Sequence, residues 1–536
     1  MAKNNSSKWG LVKKALYIWA IQYHFVIPKK ILSGYIHKFH TENENIIKYG
    51  QRYFDPENND EYQQWLSFQT DVGQRKPIDI TLIGRNIMNI PGINFKKVEM
   101  KYLDLSKITS SYVGITGDAC HFYDEFDHYI GDAAEYDLTY FDHDCIDRMG
   151  HRSNPKLKPD FSYDTLRAFN YIGSCWVVRT DLLRQFDGQK WNPYAWLLHL
   201  SDQNLKIGHI SKILYGDMEQ EESHLPELQS YFKEKHINAD AELIDDVCVN
   251  VKYAVKDEPL VSIVIPTKNG KDVLKTCIDS IEKKTSYNNY EIVIADNGST
   301  EQDSLDYFAE LQQNKRYTVF DCSGEFNFSK INNQAILEHC QGEYAVLLNN
   351  DTSIISEDWL EQMLSYAQLD HVGSVGVLLY YPDGTIQHGG VITGKGGGFA
   401  HRYYRKPGNT KGYMYTLSAA NDVACCTAAC LMISKKKYEE VGGMNEELTV
   451  QFNDADLGVR LLEHGYFNVF LPTVKLIHYE SKSRGIDKKK DAVERYVNEV
   501  SYAKKHYAEY IKHDPFYNDQ FDKNYDYMLI SGEGSN

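Results

Sequence analysis

Polar side chains follow three apolar, strand-like segments in the second half of this 536-residue chain. The segments read VSIVI, EIVIA and YAVLL, and the residues after them are Pro266, Thr267 and Asn269, then Asp296 and Ser299, then Asn350 and Asp351. Parallel strands end at one edge of a sheet, where such side chains form a ligand site. A carboxylate there can accept from a base N–H, or ligate Mg²⁺ or Mn²⁺ beside a diphosphate. The spacing therefore predicts a nucleotide site.

Two further candidate groups lie closer to the C-terminus. Asp454 and Asp456, in QFNDADLGVRL, stand at the start of a helix-like run, and His478, in KLIHYES, follows an apolar strand. A carboxylate in that place suits a general base toward a hydroxyl, whereas its common structural use is to cap the helix. His478 suits either a metal site or ordinary packing. The residues alone leave these alternatives open.

The loops exclude two other classes of nucleotide site. The loop after the first strand reads PTKNGK where a dinucleotide fold has GxGxxG, and no Walker A sequence occurs. The glycine-rich string from Gly394 to Gly398 lacks the Ser or Thr that ends a phosphate loop, so we expect a mobile loop there.

Strand-like and helix-like runs alternate along the chain, which predicts an α/β fold with a mostly parallel sheet. In the second half we predict strands at Val261–Ile265, Glu291–Ala295, Tyr317–Phe320 and Tyr344–Leu348, and helices at Lys271–Lys284, Ser304–Gln313 and Lys330–His339. In the first half we predict strands at Ile78–Ile83, Lys97–Met100 and Tyr112–Ile115, a strand before an acidic turn in Tyr136–Asp147, and helices at Tyr163–Ala168 and Thr180–Phe186. Residues 243–258 resemble a linker between the two halves.

The composition is that of a folded, acidic protein. The chain has 58 basic and 75 acidic residues, a net charge of −17, with 42% hydrophobic residues. These values exclude a disordered chain, and the acidic balance argues against nucleic acid as a partner. The ten cysteines include no CxxC pair, so we expect neither a zinc site nor a dense disulfide scaffold, and a reducing cytoplasm fits them.

Residues 1–41 differ from the rest of the chain. They hold seven lysines and no acidic residue, interleaved with aromatic residues such as Trp9, Trp19 and Tyr35. A basic, aromatic segment predicts peripheral contact of residues 8–40 with the inner face of the cell membrane. Docking on the protein body or on a partner subunit is the alternative. Because neither a signal peptide nor an apolar run of about 20 residues is present, we expect a cytoplasmic protein.

The segment from Pro259 to Gly485 resembles a family 2 glycosyltransferase with the GT-A fold, a Rossmann-like, mostly parallel sheet flanked by helices. The motifs that carry the resemblance are VSIVIPTKNG, YEIVIADNGST, EFNFSKINNQAI, YAVLLNNDTSI, YPDGTIQHGGV, VGGMNEEL, FNDADLGVRLLEHGY and IHYESKSRG. They are most similar to the rhamnan, O-antigen and capsule-synthesis branch, which includes rhamnosyltransferases. The resemblance implies an inverting enzyme that moves a sugar, rhamnose being one candidate, from a UDP- or dTDP-sugar to a glycan or lipid-linked glycan of the bacterial surface.

The resemblance also implies roles for single residues. Asp454 is the catalytic base, and Asp351 with His478 holds Mg²⁺ or Mn²⁺. Nucleotide-sugar binding falls to Pro266, Thr267, Asn269, Asp296, Ser299, Lys330, Asn333, Asn350 and Asp351. Weaker acceptor contacts fall to Gln387, His388 and Asp456. Two positions depart from the family: Asn349 replaces the first Asp of the Asp-x-Asp motif, and Ala428 stands where relatives often have Gly.

The stretch from Tyr136 to Phe186 resembles the C-terminal part of a preceding GT-A domain, but the first half has no PTKN-like strand end and no complete Asp-x-Asp motif. Asp142 and Asp144 are weak site candidates. We therefore predict a basic segment at 1–41, a reduced GT-A-like domain at 42–250, a catalytic GT-A domain at 256–485 and a helical tail at 486–536 that lies across the active domain or a partner.

Three alternatives remain at this stage. The first domain serves acceptor binding or assembly, or it holds a second active transferase site. The whole chain is a noncatalytic scaffold that binds a nucleotide-sugar or a glycan. Homo-oligomerisation is left open.

Overall fold

The computed structural model describes residues 53–67, 75–84, 94–97, 104–117, 120–218, 222–395, 398–480, 489–523 and 530–531. The basic segment 1–41, with the membrane contact predicted for residues 8–40, lies outside the described residues. Part of the glycine-rich loop, residues 396–397, lies outside them as well. The described residues form two α/β domains, each built around one mixed sheet, as the alternation of elements predicted.

The first domain contains an eight-stranded sheet. Its strands are β1 (Ile80–Gly84), β2 (Asn94–Lys97), β3 (Tyr112–Ile115), β4 (Cys120–Phe122), β5 (Leu138–Ile146), β6 (Arg152–Lys156), β7 (Trp176–Arg179) and β8 (Ile207–Asp217). The strand order is β2-β1-β3-β7-β5-β8-β4, and β6 pairs with β5. The helices are α1 (Asn59–Leu66), α2 (Phe126–Tyr129), α3 (Tyr163–Ala168), α4 (Thr180–Leu183), α5 (Pro193–Ser201) and α6 (Leu225–Glu234).

The second domain contains a ten-stranded sheet. Its strands are β9 (Val261–Thr267), β10 (Tyr290–Asp296), β11 (Tyr317–Asp321), β12 (Tyr344–Leu348), β13 (Thr352–Ile354), β14 (Val372–Tyr380), β15 (Ile386–His388), β16 (Asn421–Val423), β17 (Cys430–Ser434) and β18 (Phe467–His478). The order is β11-β10-β9-β12-β17-β14-β18-β13, while β15 pairs with β14 and β16 with β18. The helices are α7 (Lys271–Lys284), α8 (Gln302–Leu311), α9 (Phe328–Gln334), α10 (Trp359–Ala367), α11 (Lys435–Glu440) and α12 (Asn453–Glu463); α13 (Lys489–His506) and α14 (Ala508–Lys512) form the tail.

Four parallel strands position the candidate residues. Strand β9 pairs in parallel with β10 and β12, and β10 pairs in parallel with β11. The apolar runs of β9 and β10 are buried on both faces, which is typical of central parallel strands. In the register of β9 with β10, Thr267 lies opposite Asp296. The carboxyl ends of these strands therefore meet at one edge, as predicted.

The two sheets share one strand order. Without its edge strand β11, the second sheet runs β10-β9-β12-β17-β14-β18-β13, and each strand has a counterpart in the first sheet's β2-β1-β3-β7-β5-β8-β4. Every neighbouring pair has the same parallel or antiparallel sense in both sheets. The attached strands β6 and β15 also correspond, because both pair antiparallel. In topology, the first domain is thus a shortened version of the second.

Three expectations about the first half need correction. Residues 243–258 are more than a linker, because Val249–Tyr253 pairs with Ala239–Leu243 as a β-hairpin. Asp142 and Asp144 do not lie in a turn: both are in β5 and are 0% exposed. Their charges are offset by partners, since Asp144 accepts from Arg152 Nε at 2.6 Å and Asp142 has His209 Nε2 at 2.8 Å. The strand expected at residues 97–100 instead occupies β2, and residues 98–100 lie outside the described residues.

A carboxylate from the second domain caps a helix of the first. Asp422 Oδ2 in β16 accepts from Ser162 Oγ at 2.9 Å and from the Asp164 amide at 3.1 Å, at the start of α3. Ser162, the N-cap residue, makes no side-chain cap of its own. Burial, and then the neighbouring Asp164 carboxylate, raise the pKa of Asp422 well above its ordinary value. The interface between the domains is therefore buried and specifically hydrogen-bonded.

The tail contacts both domains, whereas the sequence predicted contact with the active domain or a partner. Tyr507 donates its hydroxyl to Asp456 in α12 of the second domain. Asn518 Nδ2 donates to Asp142 Oδ2 of the first domain at 3.0 Å. His513 lies between two carboxylates, with Nε2 at 2.7 Å from Asp160 and Nδ1 at 2.6 Å from Asp519. This C-terminal segment thus stabilises the arrangement of the two sheets.

Across the part of the chain that the structure describes, no helix is both long enough and apolar enough to cross a membrane. All ten cysteines are free thiols, in agreement with the absence of a disulfide scaffold expected from their spacing.

We expect the His513 ion pairs to make stability pH-dependent. Hydrogen bonds to Asp160 and Asp519 raise the pKa of His513 from 6.5 to about 10. Because the folded-state pKa is the higher one, this stabilisation is complete below about pH 6.5 and is lost as the pH rises toward 10. His513→Gln should therefore lower the thermal midpoint more at pH 6 than at pH 10. The exposed His236→Gln is the control, and an equal effect of His513→Gln at both pH values would contradict the assignment.

Candidate functional site

The edge formed by β9, β10 and β12 brings three predicted residues together. Thr267, Asp296 and Asn350 are at most 9% exposed. Asn350 Nδ2 donates to Thr267 Oγ1 at 3.0 Å, which connects the loop after β12 to the end of β9. Pro266 immediately precedes Thr267 within β9. The structure therefore gathers these polar groups where the sequence predicted a nucleotide site.

The loops after β9 and β10 brace each other. Asp296 Oδ1 accepts from the Ser299 amide at 2.9 Å and from Ser299 Oγ at 2.6 Å. Ser299 Oγ in turn accepts from the Asn269 amide at 2.7 Å, and Asn269 Oδ1 accepts from the Thr300 amide at 2.7 Å. Asn269 has a φ of 54°, a left-handed conformation that Asn tolerates better than most residues. Asn269 and Ser299 thus fix the two loops around Asp296.

Asp351 and His478 form a close pair at the same edge of the sheet. Asp351 Oδ1 lies 3.2 Å from His478 Nε2, and both side chains are at most 7% exposed. The pairing of β13 with β18 sets this proximity, because Thr352 lies opposite His478. The Tyr479 amide donates to the Asp351 carbonyl at 2.9 Å and holds the loop against β18. The structure thus brings the two predicted metal ligands together.

The donor set at this pair fits a divalent cation that is shared with a diphosphate. His478 Nδ1 is buried and has no hydrogen-bond partner. No group of three or more His, Cys, Asp or Glu residues in the described ranges could hold a metal ion by itself. Mg²⁺ and Mn²⁺ commonly take one or two protein ligands and complete their shell with phosphate oxygens and water. One carboxylate and one imidazole fit that pattern, with Asn349 Nδ2 at 3.3 Å from the ring.

Asp454 lies at the first turn of α12 and is partly exposed. Its Oδ2 accepts from the Ala428 amide at 3.1 Å, and its Oδ1 accepts from the Ala455 amide at 2.8 Å. Ala429, the residue after Ala428, accepts from the Asn349 amide through its backbone carbonyl at 3.0 Å. Two consecutive residues before β17 therefore hold both the candidate base and the loop that carries Asp351.

Close packing holds α12 against the segment that precedes Ala428. A Cβ added at Gly458 in α12 would lie 2.8 Å from Cys425 Cβ, so the helix and this segment approach as only Gly permits. Asn468 Nδ2 donates to the carbonyls of Ala424 and Gly458, both at 2.9 Å. The position of Asp454 is thus fixed by packing and by hydrogen bonds.

Asp456 has the contacts of a structural anchor, not those of an acceptor group. It is 0% exposed. Its Oδ2 accepts from Arg460 Nε at 2.8 Å and Nη2 at 2.6 Å, and its Oδ1 accepts from Tyr507. A buried carboxylate with these partners is not available to a sugar hydroxyl. The acceptor contact predicted for Asp456 is therefore replaced by a role in docking the tail on α12.

Asn333 is likewise used inside the protein, whereas Lys330 is exposed on α9. Asn333 Nδ2 donates to the Met444 carbonyl at 2.9 Å, and its Oδ1 accepts from the Met444 amide at 2.8 Å. Asn333 therefore orders the VGGMNEE loop. Both ends of the Asn333 amide are thus engaged within the protein, and the donor contact of Lys330 stays a prediction.

The predicted acceptor residues Gln387 and His388 are both buried in β15. Gln387 Oε1 has no hydrogen-bond partner. His388 Nδ1 lies 2.9 Å from His401 Nδ1. His401, and the backbone amides of Thr427 and Ala428, were not found from sequence. A histidine 13 residues after His388 carries no sequence signal of a site by itself. A backbone amide donor is common to nearly all residues and so leaves no mark in the sequence.

Residues 262–442 match the family described as Glycosyl transferase family 2. The chain is 35% identical over 408 residues to the protein y4gI of Sinorhizobium fredii, covering 71% of this chain and 45% of that protein. It is 32% identical over 417 residues to the O-antigen biosynthesis protein RfbC of Myxococcus xanthus, covering 72% and 31%. The chain thus spans less than half the length of these two relatives.

A third relative is the N-acetylglucosaminyl-diphospho-decaprenol L-rhamnosyltransferase of Mycobacterium tuberculosis, 24% identical over 213 residues, which cover 37% of this chain and 68% of that protein. Two solved structures show partial likeness. A mannosyltransferase from Pyrobaculum calidifontis has a TM-score of 0.32 at 17% identity, covering 43% of this chain and 60% of its own. GalNAc-T7 has a TM-score of 0.38 at 15% identity, covering 47% and 50%.

The family match spans β9 through β17, including the strand ends that carry Thr267, Asp296 and Asp351. The named relatives include O-antigen and rhamnosyl-transfer proteins, the branch that the motifs predicted. Residues 262–442, which form most of the domain built on the second sheet, therefore match the family 2 glycosyltransferases.

Proposed function

We propose that this chain is an inverting, metal-dependent glycosyltransferase that moves a sugar from a nucleoside diphosphate to a hydroxyl of a bacterial surface glycan. The observation that carries the proposal is that two adjacent residues hold both the candidate base and the loop of the candidate metal ligand. Ala428 donates to the Asp454 carboxylate, and Ala429 accepts from the loop that holds Asp351 next to His478. A base toward an acceptor and a charged site for a diphosphate are thereby kept in fixed relation.

The strand ends around Asp296 suit the nucleoside of a UDP- or dTDP-sugar. Asp296 and Thr267 lie side by side at the strand ends, and the Asn269–Ser299 contacts hold the surrounding loops. A carboxylate at this point can accept hydrogen bonds from a base or ribose. The diphosphate then extends toward Asp351 and His478. Exposed Lys330 is a candidate for a charge contact with the donor.

Transfer requires a proton acceptor and a stabilised leaving group. Asp454 takes the proton from the acceptor hydroxyl as its oxygen forms the bond to the anomeric carbon. The bond between that carbon and the diphosphate oxygen breaks in the same displacement, which inverts the anomeric configuration. A bound Mg²⁺ or Mn²⁺ supplies positive charge for the departing diphosphate. Asp351 and His478 are the residues that hold it.

The acceptor class is inferred from the relatives. The names of two of them refer to O-antigen biosynthesis and to transfer of L-rhamnose onto a lipid-linked sugar. We therefore propose a surface polysaccharide or its lipid-linked precursor as acceptor, and rhamnose as a donor sugar to be tested. A cytoplasmic enzyme that reaches the membrane through residues 8–40 accords with such an acceptor.

We propose that the first domain has no nucleotide site of its own and serves acceptor binding or assembly. Its counterpart of His478 is Asp217, which lies opposite Cys120 in the matching register. Asp217 accepts from Ser174 Oγ, and Ser174 Oγ also lies 3.2 Å from Cys120 Sγ. These side chains therefore contact one another where the second domain has its Asp351–His478 pair.

Two further features of the first domain support this proposal. Lys158 is fully buried and donates to the Ile172 carbonyl at 2.6 Å, and burial lowers its pKa to about 8. Helix α5, the counterpart of α12, has no acidic residue in its first turn. Among the described residues, this helix thus offers no equivalent of Asp454, which disfavours the alternative of a second active site.

We expect Asp454→Asn to lower nucleoside diphosphate release with every accepted donor by about 100-fold or more, the usual contribution of a general base. The assay screens UDP- and dTDP-sugars with Mn²⁺ and a membrane acceptor extract. Asp303→Asn, an exposed carboxylate in the first turn of α8, is the matched control and should keep full activity. Wild-type turnover by Asp454→Asn would contradict the assignment of Asp454 as the base, and no turnover by the wild-type protein with any donor would favour a noncatalytic scaffold. Residual transfer of a different sugar by Asp454→Asn would indicate two active sites.

Metal dependence should be visible in binding as well as in turnover. We expect Mn²⁺ to strengthen UDP binding by the wild-type protein, measured by calorimetry, and expect Asp351→Asn and His478→Asn to remove that effect because each deletes one ligand. Asp370→Asn, an exposed position, is the control. If Asp351→Asn binds UDP with the same response to Mn²⁺ as wild type, the assigned metal site is wrong.

A further inference from the structure

Two histidines are in direct contact beneath the candidate site. His388 in β15 is 0% exposed, and His401 lies in the short strand Phe399–His401. Their Nδ1 atoms are 2.9 Å apart, and their rings are nearly perpendicular at 89° with centroids separated by 5.0 Å. The ring of Phe470 contacts the other side of His388 with a centroid distance of 5.8 Å.

The backbone determines which nitrogens carry the protons. The Thr427 amide, which can only donate, points at His388 Nε2 at 3.5 Å. His388 Nε2 is therefore an acceptor, and its proton lies on Nδ1, which donates to His401 Nδ1. His401 then carries its own proton on Nε2. The sequence of donors thus runs from Thr427 through His388 to His401.

The electrostatic surroundings agree with two uncharged rings. Burial lowers the pKa of His388 well below its ordinary value, and the nearby groups His401, Arg402 and His478 lower it further. Burial also lowers the pKa of His401 to about 4, although the Asp454 carboxylate raises it. Both imidazoles therefore keep the hydrogen-bond pattern described above at neutral pH.

Thr427, which contacts the histidine pair, is adjacent in sequence to Ala428, which contacts Asp454. Thr427 precedes Ala428, whose amide donates to Asp454 Oδ2 at 3.1 Å. Thr427 Oγ1 also accepts from the Ala429 amide at 3.4 Å. The orientation of the Thr427 peptide therefore bears on the direction of the Ala428 N–H, and through it on the Asp454 carboxylate.

We infer that His388 and His401 form a hydrogen-bonded imidazole pair that positions Asp454 through the Thr427–Ala428 backbone, so that both histidines are positioning residues for proton removal from the acceptor. The inference rests on the proposed role of Asp454. It replaces the acceptor contact predicted for His388, whose ring is fully buried and has both nitrogens engaged.

Simple packing does not account for the pair. An apolar side chain would fill the same volume beside Phe470 and would bury no polar nitrogens. Burial of polar nitrogens costs free energy unless they are hydrogen-bonded. Replacing His388 by an apolar residue would leave the Thr427 amide without its acceptor. The segment would then be free to reorient, and a small displacement of a catalytic group lowers turnover strongly.

The test compares His388→Phe, which keeps a ring but removes both nitrogens, with His388→Gln, which keeps an acceptor and a donor. We expect kcat for nucleoside diphosphate release to fall about 10- to 100-fold in His388→Phe, with the KM for the donor and the affinity for UDP with Mn²⁺ within about twofold of wild type. His388→Gln should recover most of the loss. The control is His339→Phe, which should leave kcat unchanged. The His339 ring stacks on Phe320 with a centroid distance of 3.8 Å and, within the part of the chain that the structure describes, makes no hydrogen bond with Asp454.

Three outcomes would overturn the inference: wild-type kcat in His388→Phe, equal losses of kcat and UDP affinity in a folded protein, or no recovery in His388→Gln. If His388→Phe does not fold, His401→Gln is the second test. We expect this variant to have a lower kcat with unchanged UDP affinity, and a wild-type kcat would contradict the inference. Loss of activity in Asp454→Asn with full activity in these variants would refute this inference alone, whereas full activity of Asp454→Asn would refute the proposed function.

Discussion

The arrangement of the candidate site depends on hydrogen bonds made by three consecutive residues before β17. The amides of Thr427 and Ala428 point at His388 and Asp454, and the Ala429 carbonyl accepts from Asn349. Since backbone groups in a buried segment must be paired, each partner is held in place by the same peptide chain. The proposed acceptor chemistry at Asp454 and the proposed donor chemistry at Asp351 would therefore be geometrically coupled, although the two residues are 103 positions apart in the sequence.

The repeated topology gives the active domain its support. Both sheets have the same strand order, yet only the second has acidic residues at the first turn of the helix before its last long strand. The first sheet has a buried Lys158 and a Ser174–Asp217 hydrogen bond near its corresponding edge. Through Asp422, its helix α3 is attached to the strand that leads into the Thr427 segment. We regard the first domain as a support for the catalytic one.

Sequence patterns located the main elements and the strand ends that carry several candidate site residues, because continuous apolar runs and spaced polar strand ends are local signals. The strand at Tyr344–Leu348 and the helix at Lys271–Lys284 have the predicted bounds. The uses of Asp456, Asn333 and His401 could not be predicted, since their partners come from distant segments such as Tyr507 and Met444. The β-hairpin at 239–253 was missed because its second strand, Val249–Tyr253, was interpreted as a linker.

The central claim is a single displacement in which Asp454 deprotonates the acceptor while the diphosphate leaves from the opposite face. The most direct measurement is the anomeric configuration of the first-formed product, determined by proton NMR coupling constants for a donor of known configuration. The account predicts inversion at the transferred carbon. Retention would contradict it, because two displacements would then be required and Asp454 could not act only as a base.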